Sequence, residues 1–437
     1  MLFSCSFYFP YFSQGFQTKM DDKPFSAVVL GAGMIGVCSA WYLQLKGHKV
    51  LLVDKTAPGE QASGGNAGCI QRECVLPYGF PSGLKTFVRM ALNADISSMY
   101  QIPGVLQNWK ALFYYWQNSQ PGLYDKNARE FASLIEHCTK EHDVMIKSSK
   151  SDRLVSRKGY LELFRNKEIP EIESIGEHHR SAGASLKVLT PKDIEEMEPC
   201  LKKGTFKGGF HFDEVWTVSD PQALVQNYCD DFVRRGGTFV KSSVSGLTPP
   251  SGDNKNWSVQ LTSGGQVSTP NVVVALGAWS GSFLSKLGYY FPLYPLRGYN
   301  THLEMEKGTF LNHPICDVEN GFVMCPMTDG LRVTTGGEVV TLDSPPTSTQ
   351  VDTTVNLTKE MFNLGKRTTG VWYGHRPCMS DMKPVIGEAP NHKGLWLNFG
   401  HAHQGFTLGP VSGRLLSELI TGEKTLVDPV PFSPNRF

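Results

Sequence analysis

Short apolar runs and helical periods alternate at the start of this chain. Ala27 to Leu30 is uniformly apolar and short enough for a buried strand, and Met34 to Lys46 follows with helical spacing until Gly47 stops it. Lys49 to Val53 reads as a second strand. Further along, Arg153 to Phe164 alternates like a strand. Thr190-Pro-Lys-Asp-Ile-Glu-Glu-Met-Glu-Pro and Ser219-Asp-Pro-Gln-Ala-Leu each open a capped helix, the second ending at Gly236-Gly237. Strands are predicted around Thr238 to Val244, Trp257 to Thr262 and Val272 to Ala275, with a mostly antiparallel stretch from Leu293 to about Val340 forming a separate sheet. From Arg376 onward strand and helix return. Residues near Pro81 to Ile146 carry helical spacing rich in aromatics, including Trp109, Phe113, Tyr114, Tyr115 and Trp116. Core packing is the expected fate of that stripe. No internal repeat is present.

The first strand and helix enclose Gly31-Ala-Gly-Met-Ile-Gly36, and Asp54 follows the second strand. Gly31 permits a tight turn, Gly33 lets the backbone approach a pyrophosphate, and Gly36 lets helix and strand pack closely. Free N–H groups at the helix start, with the helix dipole behind them, suit phosphate charge. The Asp54 carboxylate falls where ribose hydroxyls would lie. Next comes a small-residue loop, Glu60-Gln-Ala-Ser-Gly-Gly-Asn-Ala-Gly-Cys69. A second glycine-rich segment, Asn398-Phe-Gly-His-Ala-His-Gln-Gly-Phe-Thr-Leu-Gly-Pro-Val-Ser-Gly-Arg414, follows a strand at Leu395 to Leu397 and opens an amphipathic helix holding Leu415, Leu416 and Leu419. Two helix N-termini from opposite ends of the chain can meet one long cofactor, which favours FAD over NAD. The apolar strand in Asn271-Val-Val-Val-Ala-Leu-Gly-Ala-Trp-Ser280 ends in small residues, as strands do that deliver a loop to a ligand crevice.

A chain of 437 residues supports two or three domains, and its 42 basic against 41 acidic side chains exclude a general electrostatic role on nucleic acid or an anionic membrane. Ten scattered cysteines without a Cys-x-x-Cys pair read as reduced thiols in a cytoplasmic compartment. No run of eighteen apolar residues occurs. The first nineteen residues carry no charge until Lys19 and lack a small-residue cleavage site; a disordered leader ahead of an alternative start at Met20 is expected, with an aromatic interfacial anchor as the alternative. His401 and His403 sit two apart without a third ligand at fixed spacing, so no metal site is expected.

Gly31-Ala-Gly-Met-Ile-Gly36, Ser63-Gly-Gly-Asn-Ala-Gly68, Ala275-Leu-Gly-Ala-Trp-Ser280, Pro295-Leu-Arg-Gly-Tyr299, Arg376-Pro-Cys-Met-Ser-Asp-Met-Lys-Pro-Val-Ile-Gly387 and Gly400-His-Ala-His-Gln-Gly-Phe406 stand in an order that resembles the D-amino-acid oxidase and glycine oxidase superfamily. Within it the chain is most similar to the bacterial D-amino-acid dehydrogenase (small subunit) group, from about Ser26 to Glu423. The resemblance implies an α/β (α+β) fold, with a Rossmann-like FAD-binding domain and a substrate domain on a mixed, mostly antiparallel sheet. The expected segments are a leader at 1–23, the FAD-binding domain at 24–150, 206–290 and 376–437, and the substrate domain at 151–205 and 291–375. It further implies non-covalent FAD, with hydride moving from an amino-acid α-carbon to the flavin and electrons passing to a quinone. Peripheral contact at the inner face of the cytoplasmic membrane would suit that acceptor.

Carried over by position, the implied cofactor residues are Gly31, Ala32, Gly33, Met34, Ile35, Gly36, Asp54, Lys55, Ser63, Asn66, Ala67, Gly68, Val244, Gly277, Trp279, Gly400, His401, Gly405, Phe406 and Thr407. Arg376 matches the position that holds the substrate carboxylate, for which a guanidinium fork is suited. Tyr299 is a candidate substrate contact, with a half-buried sheet tyrosine as the alternative, and Phe322 stands where glycine oxidase-like enzymes place a substrate tyrosine. Cys378 lies near the covalent flavin attachment of sarcosine oxidase-like relatives, but the favoured group implies a plain thiol. Glycine, sarcosine, proline or hydroxyproline as substrate, or a flavin subunit of a heteromeric complex, stay open, as does the oligomeric state.

Overall fold

The computed structural model describes residues 24–81 and 83–437; the leader expected at 1–23 lies outside the described residues. One sheet has the strand order Thr238–Lys241, Val50–Asp54, Ala27–Leu30, Val272–Val274, Leu395–Phe399 and Val385–Glu388. Four neighbouring pairs are parallel and the last is antiparallel. The uniform apolarity of Ala27–Leu30 follows from cover on both faces. Ala27, Val29, Val50 and Leu52 pack against the first helix, Met34–Leu45, while Val28, Leu30, Leu51 and Val53 share a core with Trp257 and Val259 of a small antiparallel sheet. The expected strand from Thr238 to Val244 is therefore two: Thr238–Lys241 joins the parallel sheet and Val244–Thr248 the small one.

The first helix packs most extensively on the terminal helix, Gly405–Thr421. Glycines make this possible: a Cβ at Gly409 would overlap the Met34 side chain, and one at Gly413 would fall 2.6 Å from the Cys38 carbonyl carbon. Pro410 lies inside the terminal helix and has no N–H for the Phe406 carbonyl. His142, from the helix Cys138–Ser149, takes that orphan: Nε2 lies 3.0 Å from Phe406 O and Nδ1 lies 3.1 Å from the Tyr228 hydroxyl.

A second, eleven-stranded sheet is mixed but mostly antiparallel, with Ile315–Asp317 parallel to Tyr160–Phe164. One face, with Leu161, Leu163, Phe322, Met324 and Val333, is covered by the helix Thr349–Met361; the other, with Tyr160, Phe164, Phe210 and Phe212, turns toward the parallel-sheet half. Sheet membership cuts across the expected segments. Gly208–Phe212, expected with the cofactor half, pairs with Tyr160–Phe164, and Trp372–Met379 runs through the expected boundary at 375/376 along the long strand Leu293–Met305. The expected strand from Arg153 to Phe164 is broken into a 3-10 turn at Asp152–Leu154 and two strands, Val155–Ser156 and Tyr160–Phe164.

The aromatic stripe departs most from expectation. It forms the helix Ile102–Asn118, yet Ile102, Leu106, Trp109, Phe113 and Trp116 are exposed along one face, Trp109 at 58%. Ala111, Leu112 and Tyr115 turn inward, toward Tyr294 and Leu296. Helical period alone does not say which face finds cover.

His142 gives the fold a pH-sensitive seam. Burial holds it from 6.5 down to about 4, against the two backbone carbonyls that favour its charged form. Above 6.5 it is neutral whether folded or unfolded; between 6.5 and 4 the unfolded chain takes a proton that the folded chain refuses, so stability falls as pH falls. The expected loss over that window is about 3 kcal/mol from this residue. His142→Gln keeps a donor for Phe406 without a titrating group, and urea denaturation of that variant should lose less stability between the two pH values by that amount.

Candidate active site

A cavity of about 1070 Å³ lies between the carboxyl ends of the parallel strands and the inner face of the large sheet. That is above the usual range for a single small ligand, leaving space for an extended cofactor and a substrate. Leu30, Asp54, Ala275 and Phe399 bring their strands to its edge. Gly33, Met34 and Ile35 contribute the first helix's N-terminus, and Gly405 and Phe406 that of the terminal helix. Neither helix has an acidic residue in its first turn or a capping side chain at its N-cap, so both dipole ends are open to an anion.

The glycines act where the backbones meet. Gly31 has φ +104°, and its missing Cβ leaves space for the Ala275 carbonyl; a Cβ at Gly36 would collide with the Gly31 carbonyl. At Gly33 the nearest atom to a Cβ would be Ser63 Oγ at 3.4 Å, so this side of the turn faces open space. Asp54 shapes the turn: Oδ2 accepts the Ala32 N–H at 2.7 Å and Oδ1 accepts the Thr56 N–H at 2.9 Å and its hydroxyl at 3.0 Å. A carboxylate offers about four acceptor positions, so capacity for a further hydroxyl remains. Ser63 Oγ accepts the Met34 N–H at 2.9 Å. The Ser63–Gly68 loop is itself clamped from the large sheet, Arg332 donating to the Gly64 and Asn66 carbonyls at 2.8 and 2.6 Å and Asn300 to Gly65 at 2.9 Å.

Of the residues expected around a cofactor, Lys55, Asn66, Ala67, Val244, Gly277, Trp279, Gly400 and His401 also line the cavity, with Lys55 Nζ 5.2 Å from the Trp279 ring centroid. Ala32, Gly36, Gly68 and Thr407 stand behind the wall; Thr407 Oγ1 accepts the Gln71 N–H at 3.1 Å. His401 Nε2 meets Ser412 Oγ at 2.9 Å while its Nδ1 is buried without a partner among the described residues, as are Asn398 Oδ1 and His375 Nε2 on the same wall. Buried polar atoms are almost always satisfied, so these three fit a polar ligand. Burial holds His401 and His403 down to about 3 and His375 to about 4, leaving all three neutral near neutral pH. No metal-holding cluster is found among the described residues.

Arg376 is enclosed in the cavity wall, its Nη1 and Nη2 donating to the carbonyls of Gly336 at 3.0 Å and Thr335 at 3.3 Å. Among the described residues no carboxylate pairs with it, and burial pulls it below its ordinary value. Its guanidinium lies over Gly298, where a Cβ would sit 2.6 Å from Cζ.

One expectation is corrected, and two further side chains find their places. Phe322 is on the helix-covered face, in contact with the core around Val351 and Val355; its neighbour Val323 lines the cavity, because successive strand residues point to opposite faces. Tyr299 reaches the wall, but its hydroxyl donates to Glu338 and accepts the Thr347 N–H at 3.0 Å, beside the fully buried Arg297–Glu338 pair. Cys378 is outside the wall, in an apolar cluster with Tyr294, and burial lifts its thiol to about 12.

Sequence reasoning passed over Tyr78, Glu73 and Glu162. Tyr78 lines the cavity with 56% of its surface accessible, and its ring is 4.8 Å from that of His403. Glu162 had a legible signal, a lone carboxylate inside the apolar strand Tyr160–Phe164. Nothing near Leu76-Pro-Tyr-Gly79 marks Tyr78.

Residues 26–419 match the family model of FAD dependent oxidoreductases, and the chain belongs to that family. Its cofactor is FAD. Among curated relatives, a D-amino acid dehydrogenase of Chromohalobacter salexigens is 25% identical over 422 residues, covering 94% of this chain and 99% of the relative. A D-amino-acid oxidase of Bradyrhizobium diazoefficiens is 26% identical over 421 residues, covering 94% and 98%. The fold is shared with glycine oxidase from Geobacillus kaustophilus, TM-score 0.70 at 20% identity over 95% of this chain and 99% of that one. It is also shared with L-amino acid deaminase from Proteus myxofaciens, TM-score 0.71 at 16% identity over 96% and 95%.

Gly298 offers a test that leaves Arg376 itself in place. Gly298→Ala should displace the guanidinium, which is the movable end of a long side chain, and spare the fold. Titrating a simple carboxylate against the visible spectrum of the bound flavin should show affinity lowered by about ten-fold or more, with FAD content and melting temperature near wild type.

Proposed function

We propose that this enzyme oxidatively deaminates D-amino acids to 2-oxo acids, with electrons passed to a quinone. The observation that carries the reading is Arg376, a cation enclosed in the cavity wall with only backbone carbonyls as partners. A buried cation is costly without a counter-charge, and a substrate carboxylate supplies one in bidentate geometry. FAD supplies the hydride acceptor when bound. The chain's own groups do the rest. Arg376 orients the α-carbon, and the buried ring nitrogens of His375 and His401 that lack partners among the described residues can hydrogen-bond the bound ligands. The names of the curated relatives, D-amino acid dehydrogenases and a D-amino-acid oxidase, support the substrate class. In this reading Asp54 takes a ribose hydroxyl, and the two helix N-termini take the pyrophosphate and the flavin half.

Arg376→Ala should lower kcat/KM for D-amino acids by about a hundred-fold to ten-thousand-fold with FAD still bound, and Arg376→Lys should also be impaired because an ammonium lacks the fork. Flavin bleaching under anaerobic conditions measures both. Near-normal bleaching in either variant would remove the assignment.

The aromatic helix Ile102–Asn118 supports the quinone and membrane part of this reading. Leu112 and Tyr115 on one side line the cavity, and Trp109, Phe113 and Trp116 on the other are exposed, so a single helix separates the cavity from an apolar surface. No helix among the described residues is long and apolar enough to cross a membrane. In-plane contact of this stripe with lipid would bring the cavity to a membrane-dissolved quinone. Substrate-reduced enzyme should be reoxidised faster by a soluble quinone analogue than by air-saturated buffer in stopped flow. The wild type should sediment with vesicles, and the triple variant Trp109→Ser, Phe113→Ser, Trp116→Ser should not. Oxygen reoxidation that keeps pace with turnover would make the enzyme an oxidase.

A further inference from the structure

Glu162 stands in the middle of the apolar strand Tyr160–Phe164. Leu161 and Leu163 point into the helix-covered core, so Glu162 faces the cavity with Tyr160. Its cross-strand neighbours are Cys316 and Phe210, and among the described residues no cation or hydrogen-bond donor stands against its carboxyl. Burial alone acts on it, and lifts it to about 7. Glu73 lines the same cavity: Oε1 accepts from Gln71 Nε2 at 2.8 Å, and Oε2 is buried without a partner among the described residues. Burial lifts Glu73 to about 8, with Glu162 adding to the effect and Arg72 opposing it.

Tyr78 and Arg376 line the same cavity as Glu73 and Glu162, and the Tyr78 ring stands 4.8 Å from that of His403. A ligand anchored through its carboxylate on Arg376 therefore has the Tyr78 ring and Glu162 among the walls that its far end can meet. An aromatic face followed by a carboxylate suits a methylene stem that ends in a positive charge.

We infer that Glu162, assisted by Glu73, reads the substrate side chain, and that the enzyme prefers amino acids whose side chain ends in an ammonium or guanidinium. The inference rests on the deaminase reading above for the word substrate, but not for the ligand chemistry. A side chain of this kind supplies the donor that the buried carboxyl lacks, whereas an apolar one leaves the carboxyl desolvated and alone. Sites built around a polar partner discriminate strongly against ligands that cannot pair with it.

The test uses the FAD-loaded enzyme in two arms. In the first, kcat/KM is compared for D-lysine and D-arginine against D-leucine. The wild type should favour the basic pair by about ten-fold or more, and Glu162→Gln should reduce that ratio by about ten-fold or more. In the second, 6-aminohexanoate and hexanoate, which have no α-amine to oxidise, are titrated against the bound-flavin spectrum. The aminated compound should bind more tightly to wild type, and Glu162→Gln should abolish the difference. Equal binding of the two compounds, a preference for D-leucine, or a Glu162→Gln variant that scales all substrates alike would overturn the inference. If D-leucine reduces the flavin and the basic amino acids do not, the inference falls and the deaminase reading stands. If no amino acid reduces the flavin but the aminohexanoate preference is present and lost in Glu162→Gln, the ligand chemistry stands and the deaminase reading falls.

Discussion

Close backbone approach between the first helix and the terminal helix governs the rest of this structure. Gly409 and Gly413 leave no side chain between the terminal helix and Met34 or Cys38, so two segments almost four hundred residues apart share one wall. Their N-termini then open on the same cavity. Within the terminal helix the approach is accompanied by Pro410, and His142 restores the acceptor balance that Pro410 disturbs. Glycine at Gly31 and Gly36 repeats the device between strand, turn and helix, and the open turn at Gly33 is a consequence of it.

The cavity that results is selectively charged. Burial holds His375, His401 and His403 neutral, so the basic side chains on its wall are Arg376 and Lys55. Gly298 is what lets that guanidinium lie flat against the long strand, and the carbonyls of Thr335 and Gly336 hold it without neutralising it. Glu73 and Glu162 line the same cavity as carboxyls without cationic hydrogen-bond partners among the described residues. A cation held only by carbonyls and two such acids leave the cavity partners for both signs of ligand charge. In a low-dielectric enclosure such charges act more strongly than on a surface.

Much of the architecture was legible along the chain. The strand, glycine turn and helix from Ala27 to Leu45, the acid after the second strand, the capped helix at Pro221–Arg234 with Asp220 accepting from Ala223 N–H at 2.9 Å, and the mostly antiparallel second sheet all follow from local pattern. Period and capping are properties of neighbours in sequence, so a sequence can specify them.

Which face of an element is covered is decided by partners far away in the chain. The alternation around Phe322 and Val323 defines two faces, but only pairing within the large sheet and the cover of Thr349–Met361 put Phe322 in the core and Val323 at the cavity. Tyr299 kept its place in the motif, yet Glu338 and Thr347 captured its hydroxyl. The helix Ile102–Asn118 had the spacing of a core helix and received cover on one side alone. Glu73, Tyr78 and Glu162 line one cavity because Tyr160–Phe164 pairs with Ile315–Asp317 within the large sheet and turns its other face to the parallel-sheet half. The sequence by itself determined the elements, the glycine turns and the cofactor class, because backbone conformation and period are local. Tertiary structure decided which side chains meet in the cavity, because burial and pairing join residues that sequence spacing does not relate.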